Sequence, residues 1–233
     1  MNKILAIFKK QLKDTLKNKV TLLQFVLFPV MAFFLTEFIA KGTVGLPENY
    51  FVIMFGTMYA GLVPLVNMAV IISEEREKYS LKMLIMCNVK PFQYLVGVGA
   101  YVLILCTFGA VAFALIGGYS GVEALRFVLI MVLGFIASIL LGSAIGIFSK
   151  NQGASTALAM PIAMIAGFVP MISMFNEKFA SISKILYTQQ ISFLAGDLSL
   201  SNFTFQRFLI IGINMILFLA VFIYIYKRID LKE

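Results

Sequence analysis

The residues best suited to chemistry lie in one stretch. Glu74, Glu75, Arg76, Glu77 and Lys78 stand side by side, followed by Ser80, Leu81 and Leu84. A run of charges mixed in sign suits ion pairing and the orientation of a docked partner more than proton transfer. The usual agents of catalysis are missing. None of the 233 residues is a histidine, which removes the commonest general base and metal ligand. The two cysteines, Cys87 and Cys106, are too few for a disulfide framework. No Gly-Lys-Ser or Gly-Lys-Thr occurs, so nothing here cradles nucleotide phosphates. The expectation is a chain that is not itself an enzyme and has no metal or cofactor site.

Two other constellations need weighing. Gly118-Tyr119-Ser120-Gly121 spells the serine motif of rhomboid intramembrane proteases. A serine nucleophile needs a base, and no histidine is present. Glycine and serine are also ordinary turn residues. An ion-coupled secondary transporter, needing no ATPase partner, is the main alternative reading. Such carriers use carboxylates or broken helices near mid-membrane. The candidates for a pathway or gate are Glu37, Asn67 and Asn214, and none is an acid at mid-depth. Pro29, Pro64, Pro161 and Pro170 are places where a helix could break.

The elements that position these residues follow from hydropathy. The chain is 61% hydrophobic and 13% charged, with a mean hydropathy of +0.97. Soluble domains carry about 45–50% apolar and about 25% charged residues. Six apolar runs are long enough to cross about 30 Å of hydrocarbon. They cover 20–40, 50–72, 92–117, 125–148, 155–175 and 208–226. The expected fold is therefore all-α and integral to the membrane, one six-span domain over 1–233. The net charge of +8 is read as a membrane feature, with no nucleic-acid partner.

Fourteen of the nineteen lysines and arginines fall on one side of this layout. That side holds both termini, the 73–90 segment and Lys150. The positive-inside rule makes it cytoplasmic. Residues 1–19 form an amphipathic helix, with Ile4, Leu5, Ile7, Phe8, Leu12 and Leu16 on one half of the wheel. Lys3, Lys9, Lys10, Lys13, Asp14 and Lys17 fill the other half, facing anionic membrane lipids. Ser73 stands where a helix cap would, so 73–90 reads as a short cytoplasmic helix closed by Pro91. Residues 176–206 form an apolar outer segment dipping into the interface. Gly134, Gly142 and Gly146 recur on the fourth span and favour close packing, within the chain or between copies.

The charged segment resembles that of the permease subunits of ABC-2 type transporters. Their segment after span two reads roughly E-[KR]-E-x-G-[ST]-L-[DE]-x-L, then Pro and Gly-Lys. Here Glu75-Arg76-Glu77-Lys78-Tyr79-Ser80-Leu81-Lys82-Met83-Leu84 is followed by Pro91 and Gly97. Tyr79, Lys82 and Val98 depart from the pattern. Gly142 to Gly146, then Ser149-Lys150-Asn151-Gln152, is similar to the family's turn between spans four and five.

The resemblance implies an ABC-2 (type V exporter-like) fold, with an N-terminal elbow helix and a coupling helix that docks on a separate cytoplasmic ATPase. Glu74, Glu75, Arg76, Glu77, Ser80, Leu81 and Leu84 would make that contact. ATP and magnesium would sit on the ATPase. A second permease copy, identical or similar, would complete the pathway. The implied activity is export of an amphipathic peptide, drug or lipid-like substrate from the cytoplasm or inner leaflet. Lysine outnumbers arginine, as in low-GC bacteria. The small chain is similar to permeases of Gram-positive peptide-toxin exporters, such as those for phenol-soluble modulins. Drug or antimicrobial-peptide resistance is the other role implied. The location would be the bacterial plasma membrane.

Overall fold

The computed structural model describes residues 3–17, 19–42, 45–86 and 89–230. Cys87, Asn88 and Lys232 lie outside the described residues. No strand occurs among those described. The helices are α1 (Lys3–Lys17), α2 (Lys19–Leu35), α3 (Tyr50–Glu77), α4 (Ser80–Met86) and α5 (Pro91–Ile116). They continue with α6 (Gly121–Phe148), α7 (Gln152–Ser173), α8 (Glu177–Ser183), α9 (Tyr187–Gly196) and α10 (Phe205–Asp230). A wider π turn, Thr36–Ala40, extends α2.

Six helices are long and apolar enough to span a membrane: Leu22–Ala40, Tyr50–Glu77, Phe92–Ile116, Gly121–Phe148, Gln152–Ser173 and Phe205–Lys227. Hydrocarbon demands that backbone groups be paired, and the Ala60 carbonyl, to which Pro64 has no N–H to give, accepts from Ser138 of α6. Pro29, Pro64, Pro161 and Pro170 all lie inside helices that run on past them. Six crossings bring the chain back to the face from which it started.

The most buried span is α3, and α6 and α7 lie directly on it. Small residues permit this. A Cβ on Gly142 would stand 2.3 Å from the Leu65 carbonyl oxygen, so the α3 and α6 backbones touch there. Gly146 meets Ala69 in the same way, and Gly134 faces Ile191 of α9. All three glycines are used inside one chain, so they supply no reason to expect a second copy. Aromatic packing fills the middle. Tyr59 meets Phe28, Phe113 and Phe135 edge-on, at centroid distances of 6.0, 5.5 and 5.7 Å.

The end of the second span differs from the sequence reading. The helix of the second span does not stop at residue 72. It continues to Glu77, with Ser73 buried in its interior and its hydroxyl donating to the Val70 carbonyl. Ser73 therefore caps nothing. The break falls at Tyr79, whose φ of 58° is left-handed, and α4 follows as a separate seven-residue helix. The Gly118–Gly121 motif is a turn, with φ of 68° and 54° at its two glycines.

Candidate functional site

The end of α3 gathers the charges. Glu75 is 6% exposed and has three donors. Its Oε1 accepts from Lys10 Nζ at 2.5 Å and Gln11 Nε2 at 2.7 Å. Its Oε2 accepts from the Tyr94 hydroxyl at 2.5 Å. A carboxylate removed from water must be paired in this way, and the pairing ties α1 and α5 to α3. Around it, Ile7 packs against Gly97, and Phe8 meets Tyr101 edge-on at 6.3 Å.

Arg76 and Glu77 hold the next pair of helices. Arg76 Nη1 donates to the carbonyls of Ile147, Phe148 and Ser149, at 2.8, 3.3 and 3.2 Å. These are the orphan acceptors at the negative end of α6. Glu77 Oε2 accepts from the Gln152 backbone N–H at 2.9 Å, the first of α7's orphan donors. The Asn151 side chain caps the same helix by accepting from the Ala154 N–H at 2.8 Å. Each charge thus sits at the helix end whose dipole it complements.

The residues expected to form one docking surface are therefore divided. Glu75, Arg76 and Glu77 point back into the fold or its edge. Glu74 pairs with Lys78 one turn on. Ser80 begins α4. Leu81 is buried in the core, and Leu84 packs against that core. The side chains that project outward are Tyr79, Met83 and Met86, at 72%, 67% and 79% exposed. Met83 and Met86, three apart on α4, share one face, and Tyr79 is exposed at the break just before that helix. The i, i+3 pair of methionines was the available sequence signal.

The three pathway candidates lie apart. Glu37 pairs with Lys41 at 2.6 Å beside a cavity of about 410 Å³, which Glu48 and Thr36 also line. The Glu37 hydrogen bond holds the Lys41 ammonium above its ordinary pKa. Asn67 is buried, donating to the Val63 carbonyl at 2.9 Å and to Gln24 Oε1 at 3.2 Å. Asn214 donates to the carbonyls of Ile185 and Ile210, at 2.9 and 2.8 Å.

The Ile185 contact reveals a feature not read from the sequence. Asn214 lies nine residues into α10, about 13 Å from its start at 1.5 Å per residue. The turn between α8 and α9 is thus tied to α10 well past its first turn, with Ile185 itself exposed, and α9 is wedged among α3, α6, α7 and α10. Its face is polar yet buried. Tyr187 OH lies 2.6 Å from Ser138 Oγ, and Ser138 donates to the Ala60 carbonyl. Ser173 donates to Gln189 Oε1 at 2.7 Å. Thr188 Oγ1 is buried without a partner. The Thr188-Gln189-Gln190 run inside an apolar stretch was the signal available.

Together the six spanning helices and their buried polar ties define a multi-pass helical membrane protein. In comparisons with known proteins, no family model and no curated sequence matches the chain.

Proposed function

We propose that this chain is the membrane subunit of an ATP-driven exporter of the ABC-2 type. The observation that carries the reading is the exposed Met83–Met86 face of α4, with Tyr79 exposed at the turn that joins it to α3. A large apolar face beside charged Glu74 and Lys78 is the make-up of a protein-docking site, with apolar anchors and a polar rim. Methionine adapts to a partner's groove. The docked partner is a separate ATPase, which holds the ATP and magnesium. The docking face is cytoplasmic, as both termini would be, in a bacterial plasma membrane. The N-terminal helix serves as an elbow, with Lys9 and Lys13 toward anionic lipid, whereas Lys10 turns inward to Glu75.

The mechanism follows from the ties. A push on α4 reaches α3 through a two-residue link. Glu75 passes it to α1 and α5, and Arg76 with Glu77 passes it to the α6–α7 turn. The inner ends of five helices move as one body, and the ATPase cycle tips the balance between two packings of the spans. At the opposite face, α9 and its polar contacts form the gate that must rearrange. A second copy, or a similar permease, completes the path. The cargo is an amphipathic peptide, drug or lipid-like molecule, with peptide-toxin export or drug resistance as the cellular role.

The test is purification of the tagged chain from its native membrane in mild detergent. A stoichiometric P-loop ATPase with ATP hydrolysis in the eluate is expected. Met83→Asp with Met86→Asp should lose that partner while the permease stays inserted and monodisperse. Retention of the ATPase by this variant would sink the docking assignment. The second reading, an ion-coupled carrier, draws on the cavity at Glu37 and Glu48. It predicts no ATPase in the eluate and loss of transport in Glu37→Gln.

A further inference from the structure

A cavity of about 270 Å³ opens between the α8–α9 turn and the start of α10, on the face opposite Glu75. Lys184 and Arg207 line it together with Gln190, Thr204 and Gln206, and no acid is among its lining residues. Arg207 is already positioned. Its guanidinium lies over the Phe193 ring, 5.3 Å from the centroid, and its Nη1 is buried without a hydrogen-bond partner. Burying a guanidinium nitrogen without an acceptor is costly, so an anionic oxygen entering the cavity would be favoured there. Asp197 is the acid within electrostatic reach of Arg207, but it lies outside the cavity lining. Its carboxylate accepts from the Ser199 N–H at 2.9 Å, which holds its pKa below the ordinary value.

Lys184 adds to the charge. It is adjacent to Ile185, whose carbonyl Asn214 grips well down α10. Its side chain lines the same cavity as Arg207. The positive dipole end of α10 lies beside the lining residues Thr204 and Gln206. Beyond Arg207 the helix is the least buried span, and Leu209, Ile213, Ile216 and Leu217 are exposed along it. That exposed face is turned round the helix from Arg207, while Ile182 and Ile185, beside Lys184, are exposed at the cavity.

We infer that this cavity is a binding site for the phosphate group of an anionic phospholipid, in the leaflet opposite the Glu75 face. Arg207 supplies a planar fork to the phosphate oxygens and Lys184 a second positive charge. The acyl chains lie against the exposed Ile182 and Ile185. The site stands independently of any ATPase partner.

The experiment is native mass spectrometry of the full chain in detergent, with phosphatidylglycerol or phosphatidylcholine added at equal concentration. The wild type should retain phosphatidylglycerol about tenfold more than phosphatidylcholine. Lys184→Gln with Arg207→Gln should abolish that preference, and Arg207→Lys should restore part of it. Arg126→Gln, beside a neighbouring cavity on the same face, should leave it intact. Equal retention by the double variant and the wild type would overturn the site. So would an equal loss in Arg126→Gln, which would mean a diffuse charge effect. Inorganic phosphate alone should not raise the melting temperature. If it does so in the wild type and not in the double variant, the cavity takes a free anion and the lipid assignment fails.

Discussion

Arg76 and Glu77 are neighbours in the chain and hold opposite ends of a single turn. Arg76 takes the last carbonyls of α6, and Glu77 takes the first N–H of α7. The pair fixes the α6–α7 connection from outside it, more than seventy residues away in sequence. Swapping their charges would place each at the helix end that repels it.

Reversing Glu77 should therefore harm more than neutralising it. Glu77→Gln keeps an acceptor for the Gln152 N–H and should change thermal stability little. Glu77→Lys puts a cation at a helix N-terminus and should destabilise by about 1 kcal/mol, because the site is exposed and partly screened. Melting of the detergent-solubilised chain compares the two. Equal effects would show that the dipole interaction is unimportant here.

The Glu75 cluster should behave as a buried network. Tyr94→Phe removes one donor and should cost about 1–3 kcal/mol. Glu75→Ala strands Lys10, Gln11 and Tyr94 together and should cost more. Hydrogen exchange should then show α1 loosening from α5. Undiminished protection in α1 would mean that apolar contacts of Ile7 and Phe8 alone hold it.

Tyr79 is a non-glycine residue in the left-handed region, with its side chain mostly in water. Tyr79→Gly should relieve roughly 1 kcal/mol of backbone strain and raise the melting temperature slightly. Tyr79→Ala removes the same ring without the relief and should not. A gain in both variants would locate the effect in the side chain instead.

Close helix approach gives a fourth test. Gly142→Ala drives a methyl group into the Leu65 carbonyl and should cost about 1–3 kcal/mol, because backbone must move. Gly212→Ala on α10 meets nothing within 4 Å and should be neutral or stabilising. Thermal melts of both variants in one detergent measure the difference. A mild Gly142→Ala effect would show that α3 and α6 can slide apart cheaply.

The six spanning helices were legible in the sequence because hydropathy is a one-dimensional property. An apolar run long enough to cross hydrocarbon must do so whatever its neighbours are. The position of the charged segment, at the end of the second span, was legible for the same reason. Its direction was not. Glu75 faces inward because Lys10, Gln11 and Tyr94 arrive from other helices to replace its water, and Arg76 and Glu77 turn toward helix ends at 147–152. The continuation of α3 past Ser73 has the same origin, since Glu75 keeps its helical backbone while its charge is paired. Once those partners take the charges, Tyr79, Met83 and Met86 are left on the outside. Likewise, the apolar residues around Thr188, Gln189 and Gln190 hint at burial without naming their partners. That burial depends on α9 being wedged among α3, α6, α7 and α10. The sequence alone determined which segments cross the membrane. Only the tertiary structure decided which polar groups face one another, because pairing distant groups is what makes their burial affordable.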